Sequence, residues 1–324
     1  VKATEKTVDL ISYARKTQTR ETRRRFHESK YSAREYVEHK RVLGLRDWEL
    51  LFGFFEDYID DVDKRILVFR NEFTGEFLVK RYSHRFQRRY LRKVRNKFDR
   101  VFESASSKYK TGVFLTLTLD PKTYKSIREG IAIGSKAWNR FMSRLRKKLG
   151  FRPPYIRVLE FQDSGNPHYH VVLFGIDSIG DHYELTEYLK KIGFGEIHYE
   201  YKIVNRNGNW EWSNPRHKPT KLHNHGVKDY LKKYIEKMFN YDIGVNSTEA
   251  RVDDYKIALY FALDSRFFTY SYALYTTPKT GSHEYGWVFI GSYSIEYLPD
   301  WLMEYVRDSL SPPDLVEIGD YLML

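Results

Sequence analysis

The chain has 324 residues, 41% of them apolar and 30% charged, and 55 lysines and arginines outnumber 43 aspartates and glutamates to leave a formal charge of +12. Such a composition belongs to a folded globular chain of one large or two ordinary domains and excludes a disordered one. There is no cysteine and no run of 18 apolar residues, which excludes a disulfide scaffold, a thiolate metal site, a cysteine nucleophile and a membrane-spanning helix.

Residues 1–60 read as helical, with a basic run at Arg20–Arg25 and mixed apolar and acidic residues over Asp47–Tyr58. Val1 to Lys6 are neither apolar nor led by Met, so no secretory leader is expected and the chain is compatible with a piece of something longer. Residues 65–79 read as a hairpin around Gly75. From Lys80 to Arg100 there are ten basic residues in 21 against one aspartate, and Tyr82, Phe86, Tyr90, Val94 and Phe98 recur every four positions. That spacing predicts a helix with one apolar face and otherwise cationic flanks.

Val113–Asp120 alternates strictly and is expected to be a half-exposed strand ended by Pro121. A helix follows over Gly134–Leu149 with Trp138, Phe141, Met142 and Leu145 inward, then strands at Tyr155–Gln162 and His168–Phe174. Leu185–Ile192 reads as a helix and Glu196–Val204 as a strand. Polar Asn205–His225 reads as a hairpin insertion or mobile loop, and Val227–Phe239 as a helix. The order β-α-β-β-α-β-α predicts an α+β core, an antiparallel sheet with helices on one face. Beyond it come a helical stretch at Asp253–Leu263, strand-like stretches at Phe267–Tyr275 and Gly286–Tyr293, and a helix at Pro299–Leu310.

Charge divides the chain in the same places. Residues 1–110 hold 28 basic and 17 acidic side chains, residues 111–240 hold 22 and 13, and residues 241–324 hold 5 and 13. The expected organisation is a basic, mostly helical region at 1–110, a core at 111–240 and an acidic extension at 241–324. The first two would attract a polyanion.

Chemistry concentrates in two places. His168 and His170 flank Tyr169 in a strand, so both imidazoles share one face about 6–7 Å apart along the backbone. Asp163-Ser164-Gly165 suits a three-residue hairpin loop with the glycine left-handed. That register pairs Gln162 with Asn166 and therefore Glu160 with His168; a slip by one residue would turn Glu160 away. Two imidazoles and a carboxylate then offer a site for Mg²⁺ or Mn²⁺, with imidazole favouring Mn²⁺. The strand before them places Thr116, Thr118 and Asp120 on one face and Leu115, Leu117 and Leu119 on the other.

The second place is Asp229–Lys237, where Tyr230 and Tyr234 lie four apart on one helix face, each followed three residues later by Lys233 and Lys237. A phenolic oxygen can attack a phosphodiester and remain attached, given a polarised phosphate and a nearby cation. His217, His223 and His225 fall in the polar loop and are read as loop residues able to bind metal only adventitiously. No Gly-x4-Gly-Lys-Ser/Thr loop occurs, so no helicase motor is expected.

Taken together, Phe114-Leu-Thr-Leu-Thr118, Pro167-His-Tyr-His-Val-Val-Leu-Phe-Gly175 with Glu160 upstream, and Tyr230–Lys233 repeated as Tyr234–Lys237 resemble the motifs of HUH-type rolling-circle replication initiators, the Rep proteins of small plasmids and viruses. The resemblance covers roughly residues 80–240, and the basic helix and lack of cysteine look like its archaeal plasmid members. It implies a ferredoxin-like sheet and metal-dependent nicking of single-stranded origin DNA in the host cytoplasm. It also implies a 5′-phosphotyrosyl intermediate, with host replication proteins as further partners. Glu160, His168 and His170 would be the metal ligands, Tyr234 or Tyr230 the nucleophile, and Lys233 or Lys237 the assisting cation. Tyr234 is preferred as the position shared by one- and two-tyrosine members. The middle residue of the His motif, Tyr169, is bulkier and less apolar than usual there. The competing readings are a transposase or relaxase of the same chemistry, and a non-catalytic nucleic-acid-binding module with stacking aromatics.

Overall fold

Gly112 through Leu117 are buried without a break, so the strand that alternates in sequence is covered on both faces. A computed structural model describes residues 28–213, 226–237, 252–275 and 286–309 and shows why. In chain order the elements are α1 (Glu28–Glu38), α2 (Leu45–Asp63), β1 (Arg65–Asn71), β2 (Phe77–Arg81), α3 (Arg88–Lys108) and β3 (Thr111–Leu119). Next come α4 (Ile127–Leu149), β4 (Tyr155–Phe161), β5 (Pro167–Phe174), α5 (His182–Ile192), β6 (Phe194–Arg206) and β7 (Asn209–Trp212). The series closes with α6 (Val227–Lys237), α7 (Val252–Tyr255), α8 (Ile257–Leu263), β8 (Phe268–Tyr270), β9 (Trp287–Ser294) and α9 (Asp300–Ser309). Arg20–Arg25, His217, His223 and His225 lie outside the described residues.

The chain forms two compact units. The larger, residues 30–55 and 88–277, carries a six-stranded antiparallel sheet in the order β7-β6-β3-β5-β4-β8. Within it β3-α4-β4-β5-α5-β6 are laid out β6-β3-β5-β4, the first strand flanked by the fourth and third. This is the ferredoxin-like α+β arrangement expected of the motifs. Helix α4 begins at a Ser126 cap, seven residues before the expected start, and buries Trp138, Phe141, Met142 and Leu145. Helix α2 buries Trp48, Leu51, Phe52 and Phe55 at helical spacing.

The smaller unit comprises residues 56–87 with the segment that ends in α9. Its sheet has the order β2-β1-β9. Ile66, Val68 and Val79 pack there with Ile295, Leu298, Leu302 and Val306. The β1–β2 hairpin turns at Gly75, whose φ of 75° is a conformation glycine adopts freely.

Two sequence expectations are corrected. The basic helix starts at Arg88, not Lys80, and runs on to Lys108. Lys80 and Arg81 pair with Leu67 and Ile66 in β2, so Tyr82 and Phe86 pack in the smaller unit before the helix begins. The strand expected over Phe267–Tyr275 shrinks to Phe268–Tyr270, because Ser271 leaves the ladder and Tyr272–Leu274 form a 3₁₀ turn.

Candidate metal and tyrosine site

The β4–β5 hairpin sets the register on which the site depends. Gln162 N–H donates to the Asn166 carbonyl at 3.0 Å, and Gly165 takes φ 80°. The loop is pinned from outside: the Trp48 indole donates to the Asp163 carbonyl at 2.7 Å and Leu43 N–H to the Ser164 carbonyl at 2.9 Å. A side chain at position 165 would meet Ile127 at 2.7 Å, so glycine is required for space as well as for φ. In this register Glu160 faces His168, and His168 faces Thr118 on β3. The three form one cross-strand row on one face of the sheet.

The groups converge. One ligand atom from each of Glu160, His168 and His170 lies within 4.8 Å of the others. Thr118 Oγ1 and His168 Nδ1 are 2.8 Å apart, a contact that orients the ring and leaves Nε2 as its ligating nitrogen. His170 Nε2 sits 2.9 Å from Glu160 Oε2, and its Nδ1 is buried without a hydrogen-bond partner. Two neutral imidazoles and a carboxylate on adjacent strands fit a divalent cation, and these three residues could hold one.

Helix α6 brings both tyrosines to this face. Val227, Leu231 and Ile235 are fully buried along one side. On the next side Lys228 and Lys232 pair with Asp99 of α3 at 2.8 and 3.1 Å, and Glu236 pairs with Arg95 at 3.0 Å. Clamped this way, α6 lays the Tyr234 ring on the His170 imidazole with centroids 4.1 Å apart. Tyr230 meets His170, Phe114 and Trp212 edge-on. The Tyr234 hydroxyl donates to that of Tyr230 at 2.8 Å. Burial first, then the Tyr230 hydroxyl and the charges of Glu160 and Asp253, push the Tyr234 phenol well above its ordinary pKa. Lys237 lies 6.0 Å from the Tyr234 ring centroid, whereas Lys233 is exposed.

Sequence reasoning passed over Asp253 and Lys256. A cleft of about 500 Å³ is lined by Glu160, His168, Asp163, Ser164 and Lys256 among others. Lys256 bridges Asp253 at 2.6 Å and Asp163 at 2.9 Å, and Asp253 also takes Lys237 at 3.5 Å. Burial alone would lower the Lys256 pKa; its two carboxylate partners outweigh that and raise it. The cleft beside the candidate ligands therefore holds a fixed positive charge. Only its spacing from Asp253 hinted at this, since the partner Asp163 lies 93 positions away.

Comparison with known proteins agrees with the geometry. Residues 112–239 match the model of a family described as replication-associated protein, the family named for ORF2. Over 200 residues the chain is 31% identical to "Uncharacterized protein 1" of Halorubrum pleomorphic virus 1, a match covering 59% of this chain and 39% of that protein. The chain thus spans about two fifths of the length of the curated relative it matches. No solved structure matches. Among the described residues no helix is long and apolar enough to cross a membrane. The matched span takes in β3 through α6 and every residue of the cluster, and this core is Rep-like.

Proposed function

We propose that the chain is a replication initiator that nicks and rejoins single-stranded origin DNA by tyrosine-mediated transesterification, acting in the host cytoplasm. The observation that carries the reading is the Tyr234 ring resting on His170 within the Glu160–His168–His170 cluster, inside the Rep-like span. A Mn²⁺ or Mg²⁺ ion held by the three would draw charge from a phosphate oxygen and make phosphorus more open to attack.

The chain's own groups supply the rest. Tyr234 Oη attacks phosphorus, the Oη–P bond forms and the bond from phosphorus to the 3′ oxygen breaks. The phenolic proton leaves toward the Tyr230 hydroxyl that already accepts from it; a proton is taken up by the departing oxygen, which becomes a free 3′-OH able to prime synthesis. Lys237 and Lys256 offset charge on the phosphates, and Lys233 is the outer cation of the pair. Return attack by a 3′-OH, or attack by Tyr230, rejoins the strand.

The test is a labelled single-stranded origin-type oligonucleotide incubated with Mn²⁺ and run under denaturing conditions. A denaturant-resistant adduct that disappears with EDTA and in His168→Ala and His170→Ala proteins supports the reading. Absence of adduct across varied origin sequences, with DNA binding unaffected by those substitutions, would replace it with a non-catalytic binding module.

A further inference from the structure

Three tyrosines outside the site form an ordered stack with no role in the chemistry above. Tyr270 ends β8, and Tyr272 and Tyr275 flank the 3₁₀ turn that follows. In such a turn residues three apart eclipse, so Tyr272 and Tyr275 come ring to ring. Their centroids are 5.7 Å apart with planes 9° from parallel; Tyr275 and Tyr270 are 6.5 Å apart at 6°. Leu274 between them is fully buried and anchors the turn, which turns Tyr272 outward to 86% exposure. A core has no use for a ring held in that position.

The stack is bound to the basic helix at three points. Phe98 of α3 packs edge-on against Phe268, Lys97 Nζ lies 5.3 Å from the Tyr270 ring centroid, and Lys108 Nζ donates to the Ala273 carbonyl at 2.9 Å. Along α3, Lys93, Lys97 and Arg100 follow at helical spacing on one exposed face. Parallel aromatic faces beside a row of cations are what a single nucleic-acid strand requires: a π-surface for each base and positive charge for each phosphate. Duplex DNA keeps its bases stacked on one another and has no use for the rings.

We propose that Tyr270, Tyr275 and Tyr272, with Lys93, Lys97 and Arg100 beside them, form a stacking platform for unpaired bases of single-stranded DNA. The choice of occupant rests on the function proposed above; the surface itself does not depend on the nicking chemistry.

Fluorescence anisotropy with a labelled oligothymidylate, in EDTA so that no cleavage occurs, tests it on the full chain. Tyr272→Ala and Tyr275→Ala are each expected to weaken binding roughly ten-fold, whereas Tyr272→Trp keeps the affinity. An abasic strand of the same length should bind the parent protein and Tyr272→Ala equally. Lys97→Ala should reduce the slope of log affinity against log salt by about 0.7. Thermal melting of Tyr272→Ala should match the parent, since the ring is almost wholly exposed. Affinities within two-fold of the parent for both alanine variants, or equal losses on abasic or duplex DNA, would overturn the proposal. A protein that forms the covalent adduct but binds indifferently to these substitutions loses only the platform. One that stacks bases but forms no adduct loses only the nuclease reading.

Discussion

The Tyr234 ring and the His170 imidazole lie 4.1 Å apart, centroid to centroid, with planes 25° from parallel. The phenol is thus positioned by packing on a candidate ligand, while its hydroxyl is free to be removed without disturbing the stack. Tyr234→Phe is expected to preserve Mn²⁺ affinity and lower adduct formation on the order of a thousand-fold. Tyr230→Phe should keep most of the first-strand adduct and lose only its aid to the proton. Adduct at full yield from Tyr234→Phe on a denaturing gel would transfer the nucleophile's role to Tyr230.

Thr118 touches no substrate in this scheme; it holds His168 through Nδ1 at 2.8 Å. Thr118→Val keeps the volume and removes that contact. Mn²⁺ affinity measured by calorimetry should drop about ten- to a hundred-fold, with adduct formation restored by raising the metal concentration. Unchanged affinity would mean that the ring is held by packing alone.

The bulky residue between the two histidines is accommodated by a gap on the opposite face of the sheet. Tyr169 points away from the cluster toward α4, where a Cβ on Gly134 would come within 2.6 Å of its hydroxyl oxygen. Arg157 lies over its ring and over that of Trp138, at 4.9 and 5.0 Å. Gly134→Ala gains helix propensity yet should cost about 1–2 kcal/mol net, because a buried ring must shift. Adding Tyr169→Phe should recover most of that loss, read as the coupling energy of a double-mutant cycle in urea. Additive costs would show that the crowding lies elsewhere.

Asp47 supplies a pH-dependent part of stability. Burial would raise its pKa, but the Tyr36 hydroxyl at 2.5 Å, the Gly44 N–H at 2.7 Å and Lys40 at 2.9 Å outweigh it and hold the value at about 2. With the folded value below the unfolded one, the stabilisation is present above the unfolded pKa near 3.8 and is lost as pH falls through about 2. Asp47→Asn should cost about 1 kcal/mol at pH 7 after allowance for solvent screening, and nothing below pH ~2. Equal costs in urea denaturation at both ends would contradict this.

What the sequence disclosed follows from local rules. Asp163-Ser164-Gly165 is a loop whose length and glycine specify one register, and that register alone places Glu160 opposite His168. The four-residue spacing of Tyr230 and Tyr234 likewise needs only a helix. What it concealed required distant partners. The stripe from Tyr82 to Phe98 looks like one helix, yet Arg81 is already paired to Ile66 and the chain passes from one unit to the other at Gln87. Nothing near Thr116 or Thr118 tells that α6 will cover their face, so the strand read as half exposed. Lys256 and Asp163 meet across 93 residues, a distance no periodicity spans.

Strand β8 has a consequence for how the protein is handled. It covers the outer side of β4, pairing Ile156 with Tyr270 and Val158 with Phe268, and the Tyr260 hydroxyl donates to the Leu159 carbonyl beside it. A truncation at the end of the Rep-like span would strip that cover and bare a row of unsatisfied amides next to Glu160. The shortened protein would then find its missing neighbour in another copy of itself, self-associating edge to edge. The acidic final third is thereby a guard against aggregation for the catalytic sheet.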